Sequence, residues 1–144
     1  MDEPFWDASI DTAPNPSGLT GPGTNGCLWP PDQVAAKVAQ TVALLHRLVP
    51  NIVIGDMEPI TNAGSTPELY ANWMDAYPKA TGISLAFLHA DVQWQMSDAF
   101  EQILQVKDYA HARSIAFGIM YDGYGTLGAG SAVASSDSQW MQWA

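Results

Sequence analysis

The chain has 144 residues, about one domain's worth, and its 15 acidic against 5 basic side chains give a formal net charge of -10. Lys37, Arg47, Lys79, Lys107 and Arg113 are scattered singly, so no basic stripe exists to neutralise a phosphate backbone, and nucleic acid is excluded as a partner. Apolar residues at 47% and charged ones at 14% describe a chain that buries a core. The single cysteine, Cys27, excludes an internal disulfide framework and a cysteine-based zinc site.

No apolar run approaches the ~18 residues of a membrane span, and the opening Met-Asp-Glu-Pro-Phe-Trp has neither the basic nor the apolar region of a signal peptide. The chain reads as soluble, with no membrane partner and its compartment open. Asp11 to Pro31 holds five prolines and four glycines, which punctuate helices and strands rather than extend them. A long loop is expected there, packed through Cys27, Leu28 and Trp29. From Asp32, a plausible cap, Val34, Val38, Val42, Leu45 and Val49 keep helical spacing up to Pro50. Asn51 to Gly55 is then a short apolar strand that ends at Asp56, Met57, Glu58 and Pro59.

Thr66-Pro67-Glu68 starts a second helix, with proline at the first helical position and an acid in the first turn. Leu69, Tyr70, Trp73, Met74 and Tyr77 supply its apolar face, and Gly82 closes it. Ile83 to Leu88 is the next strand, ending at His89, Ala90 and Asp91. A third helix from Ser97 or Asp98 carries Phe100, Ile103, Leu104 and Lys107 at helical spacing. It leads to strand Ser114 to Met120, which ends at Tyr121, Asp122 and Gly123. A glycine-rich loop, Gly123 to Gly130, precedes a short helix from about Asp137.

The strand ends Gly55, Leu88 and Met120 stand 33 and 32 residues apart, one β-α unit each. Buried parallel strands alternating with helices restrict the fold to a doubly wound sheet or a (β/α) barrel. The doubly wound form expects a glycine-rich phosphate loop after a strand, and none follows these three. The expected fold is α/β, a partial TIM-type (β/α) barrel in one domain spanning residues 1–144. A complete barrel takes ~250 residues. The acid-proline opening Met1-Asp2-Glu3-Pro4 resembles Asp56-Met57-Glu58-Pro59, as the tip of a fourth strand would. Unpaired sheet edges make self-association an expected partner interaction.

Each strand delivers an acid at its carboxyl end: Asp56 with Glu58, Asp91, and Asp122. Barrels place their active sites on that face, where crowded carboxyls drive one pKa up and leave another ionised, as acid-base chemistry needs. In Asp56-Met57-Glu58 the acids are two residues apart and point to one side of an extended backbone. Glu58 is the expected general acid, Asp56 its partner, and Glu3 or Asp122 the group acting opposite. Trp6, Trp94, Tyr121 and Tyr124 crowd the same ends, and with His89, Asp91 and Gln93 they suit a carbohydrate, whose C–H faces stack on rings and whose hydroxyls bind acids and amides. No cofactor is implied. His89 and Asp91 with Asp56 and Glu58 also leave open a divalent-metal hydrolase or isomerase, and the aromatics alone would serve a non-catalytic sugar-binding module. Cys27 has no partner in sequence and no G-x-S-x-G occurs, which leaves nucleophilic serine or cysteine catalysis without a motif.

The segments MDEP, GDMEP, HADVQW and MYDG, read as strand ends from Met1 to Gly123, resemble those of glycoside hydrolases with the (β/α)8 barrel. Asp56-x-Glu58 followed by Met120-Tyr121-Asp122 is similar to the D-x-E and M-x-Y-D elements of chitinase-type barrels. That resemblance implies Glu58 as general acid, Asp56 as its partner, and Tyr121 with Asp122 holding an N-acetyl group. Two departures stand beside it. Asn51 to Gly55 replaces the aspartate series that precedes D-x-E in chitinases, and the tyrosine element is one residue short. A different barrel clan, with acid and nucleophile three strands apart, would instead pair Glu3 with Asp122.

Overall fold

The structure is a computed structural model that describes residues 1–10, 28–60, 64–92 and 98–120. The expected loop tip at 11–27, the glycine-rich loop and the helix from Asp137 lie outside them. Helix α1 spans Pro31–Leu48, strand β1 Asp56–Pro59, helix α2 Pro67–Thr81, strand β2 Phe87–Asp91, helix α3 Ala99–Ala112 and strand β3 Ala116–Met120. A π-helical turn, Trp6–Ile10, precedes them. It had no expectation in the sequence because five residues are too few to show a period.

Proline opens both of the first two helices. Pro31 and Pro67 sit in the first turn, where the missing N–H costs no bond. Asp32 therefore lies inside the first turn of α1 rather than at its cap. Helix α2 ends at Gly82, whose φ of 76° lets its N–H reach back to the Pro78 carbonyl at 2.9 Å. In α3 the buried stripe is Ala99, Ile103, Val106 and Ala110. That corrects the expected face: Phe100 is 70% exposed and Leu104 is exposed too, because spacing alone does not say which of two overlapping helical stripes meets the core.

The strands form a parallel sheet in chain order, β1-β2-β3, with Asp56 opposite Leu88 and Leu88 opposite Phe117. Chain-order parallel neighbours need crossovers, which α2 and α3 supply. Helix α1 packs on α2 and α2 on α3, making one helical layer. Met1–Glu3 runs beside β1: Asp2 bridges Met57 in the parallel sense, and the Glu3 N–H donates to the Met57 carbonyl at 2.9 Å. The expected tip of a fourth strand is thus a parallel edge on β1. These strands form an open sheet of α/β class.

The strands start later than their apolar runs. β1 begins after Asn51 to Gly55 rather than within it, β2 begins at Phe87, and β3 at Ala116. Val53 is 71% exposed, so that run is not buried on both faces as a central strand would be. The ladder reaches one rung further back through Ala86 N–H to Ile54 O at 2.9 Å and Ala116 N–H to Ala86 O at 3.4 Å. Asp56, Glu58 and Asp91 therefore lie within strands, where alternation assigns each one a face.

Leu88, Ala90, Tyr70, Trp73, Met74, Tyr77, Ile103 and Val106 form the core between the sheet and the helices. Phe5 enters it from the N-terminal segment and stacks on Trp73, with centroids 5.5 Å apart at 6°. Trp29 anchors the far end of the loop: its N–H reaches the Ala8 carbonyl at 3.0 Å, whereas Leu28 stays exposed. Arg113 ties α3 to α2 through both oxygens of Asp75, at 2.6 and 2.9 Å, and it holds that carboxyl below its ordinary pKa. Among the described residues no helix is long and apolar enough to cross a membrane.

Candidate functional site

Asp56 and Glu58 share one face of β1, as their spacing required, and both are fully buried. The face they share is the helical one. Trp73 of α2 donates its indole N–H to Asp56 Oδ2 at 2.7 Å. Glu58 accepts the backbone N–H of Phe5 at 2.8 Å on Oε1 and that of Trp6 at 2.9 Å on Oε2. It thereby holds the start of the N-terminal helical turn against β1, a carboxylate in the place where a helix start favours one. The remaining oxygen, Asp56 Oδ1, is buried with no N–H or O–H partner among the described residues.

Two carboxyls in contact in a dry interior cannot both ionise without a large penalty. Burial, and then the charge of Asp56, push Glu58 well above its ordinary value, against the pull of the Phe5 and Trp6 amides. Burial pushes Asp56 up to about 6, while the Trp73 N–H pulls the other way. Burial thus favours the protonated form of both carboxyls, and a proton on Glu58 would satisfy Asp56 Oδ1. Around them stand Tyr70, whose hydroxyl donates to the Pro59 carbonyl at 2.7 Å, and Tyr77, pushed up to about 12 by burial and then by Asp56. The Tyr77 hydroxyl is a second buried polar atom with no partner among the described residues.

The other face of the sheet is built from the alternate residues. Asp2, Met57, His89 and Gly118 make one row across it, and Pro59, Asp91 and Met120 the next row toward the carboxyl ends. Phe87 and His89 pack against each other there, with centroids 4.6 Å apart and planes tilted by 31°. Met57, Phe87, His89, Asp91 and Met120 are all half-buried.

The expected constellation is therefore divided. Asp56 and Glu58 come together but face the helices, while His89 and Asp91 come together on the opposite face. Glu3 sits in a left-handed bend, φ 48°, with its N–H on the Met57 carbonyl at the edge of β1. Trp6 packs half-buried against the core, with its N–H on Glu58. Gln93, Trp94, Tyr121, Asp122 and Tyr124 lie outside the described residues. Among the described residues no three His, Cys, Asp or Glu side chains gather as metal ligands would. Gly55, Met57, Phe87 and Gly118 belong to the open face and were not among the expected site residues. The alternation Phe87, His89, Asp91 is the signal that could have found Phe87.

No protein-family model, curated protein or solved structure matches the chain. The fold and site define an α/β protein with a singly wound parallel sheet, helices along one face and polar and aromatic side chains on the other.

Proposed function

We propose that the chain is part of a (β/α) barrel of glycoside hydrolase type and acts on carbohydrate at the carboxyl-end face of its sheet. The observation that carries this reading is the winding: parallel strands adjacent in chain order, with one helical layer outside and His89 and Asp91 on the opposite face. Continued through further β-α units, that winding closes a barrel with the open face as its interior. This face contributes two carboxyls from the described residues, Asp91 beside His89 on β2 and Asp2 at the edge beyond β1. Asp56 and Glu58 act from behind β1 as positioning residues, since both Glu58 oxygens are filled by backbone amides.

The same orientation favours a second reading, a carbohydrate-binding protein without hydrolysis, because two-carboxylate chemistry needs a second acid beside the sugar. Incubation with a panel of aryl glycosides and neutral oligosaccharides separates the two. Release of aglycone that is lost in Asp91→Asn supports the hydrolase, whereas binding without release supports the second reading. Release that survives Asp91→Asn but is lost in Glu58→Gln, with the fold retained, returns the acid role to Glu58. Absence of both binding and release across the panel would overturn the carbohydrate assignment.

A further inference from the structure

We infer that Phe87 and His89 form a reclined aromatic seat on which a neutral pyranose ring stacks, with Asp91 accepting its hydroxyl hydrogens. The inference rests on the carbohydrate reading above and gives that reading a place on the sheet. It starts from two glycines. A Cβ on Gly55 would stand 2.3 Å from the Phe87 ring, and a Cβ on Gly118 would stand 2.8 Å from His89 Cδ2. Both distances lie inside van der Waals contact, so the Phe87 ring lies against the backbone just ahead of β1, and the Cδ2–Nε2 edge of His89 lies against the backbone of β3. Glycine inside a strand weakens it, and it recurs where something must approach the backbone closely. Here what approaches is the protein's own pair of rings.

Both side chains are half-buried rather than buried, so part of each ring is turned outward. Two such rings, 4.6 Å apart and 31° from coplanar, make a shelf that spans three strands. Its composition selects the ligand. Phe87 supplies an apolar π-face for axial C–H groups, the His89 nitrogens supply a donor and an acceptor at the shelf's edge, and Asp91 stands one row nearer the carboxyl ends as an acceptor. The described lysines and arginines lie on the helices or at their ends: Lys37 and Arg47 on α1, Lys79 on α2, Lys107 on α3 and Arg113 at its end. The Met1 ammonium, beside β1, is held by the Gly55 carbonyl at 2.9 Å, so no lysine or arginine of this face would pair with a phosphate or carboxylate ligand. A flat ligand with an apolar face and neutral hydroxyl donors at its rim fits what remains.

The test is isothermal titration of the whole chain with neutral gluco-, xylo-, manno- and N-acetylglucosamine oligosaccharides, together with saturation-transfer NMR on the best binder. Sugar C–H protons should take up saturation from the protein, and His89→Ala should weaken binding tenfold or more. Gly118→Ala, which lifts the His89 ring, should weaken it similarly, and Asp91→Asn by a smaller factor. Phe100→Ser on the outer face of α3 should leave binding unchanged. Circular dichroism confirms the fold of each variant, and His89→Gln repeats the test with a polar residue if the alanine variant unfolds. Undiminished binding in folded His89 and Gly118 variants overturns the seat while leaving the carbohydrate reading intact. No binding of any oligosaccharide by the parent chain overturns both. Tighter binding of benzyltrimethylammonium than of every sugar assigns the shelf to an organic cation instead.

Discussion

Replacing Asp56 by asparagine should stabilise this protein at neutral pH. Asp56 is fully buried and its carboxyl is raised from 3.8 to about 6. A folded-state pKa above the unfolded one means that the native state holds a proton the unfolded chain releases. Stability is therefore fully present below about 4, falls as pH rises toward 6, and stays low above it. At about 1.4 kcal/mol per pH unit, the rise from 3.8 to about 6 corresponds to about 3 kcal/mol of lost stability at pH 7. Glu58 extends the loss to higher pH, since burial and Asp56 both raise it. In Asp56→Asn the side-chain oxygen still accepts from Trp73, and the new NH2 faces the Glu58 carboxylate. Urea denaturation followed by tryptophan fluorescence from pH 4 to 8 should show the variant about 2–3 kcal/mol more stable than the parent at pH 7–8 and nearly equal at pH 4. Parallel stability curves for variant and parent, or a variant weaker at pH 8, would refute the buried, proton-sharing pair.

Trp73→Phe removes the donor to Asp56 Oδ2 and should cost about 1–3 kcal/mol, with the loss growing as pH rises, which the same urea series reads out. Gly82→Ala places a side chain at φ 76° and should cost about 1–2 kcal/mol, seen as a lower melting temperature without a change in circular dichroism at 25 °C. Arg113→Ala breaks a half-exposed pair with Asp75 and should cost under about 1 kcal/mol at low salt, with the difference from the parent shrinking in 1 M NaCl.

The alternation of helices and strands and the parallel chain-order sheet were legible in the sequence because periodicity and unit spacing are local properties, and the edge at Met1–Glu3 was legible through the likeness of Met1–Pro4 to Asp56–Pro59. The sequence also determined that Asp56 and Glu58 share a face, since two residues along an extended chain always do. Only the tertiary structure decided which face. That choice depends on where the ladder starts, and the ladder is set by the partner strand: pairing Asp56 with Leu88 rather than with a neighbour one residue away turns both acids toward Trp73 and the helices. The same register carried His89 and Asp91 to the opposite side, so acids that a linear reading gathers at one set of strand ends lie on two faces of the sheet. The contacts that fill the carboxyls were equally out of reach of the sequence. The amides of Phe5 and Trp6 meet Glu58 across more than fifty residues of chain, and only the packing of the N-terminal segment against β1 brings them together.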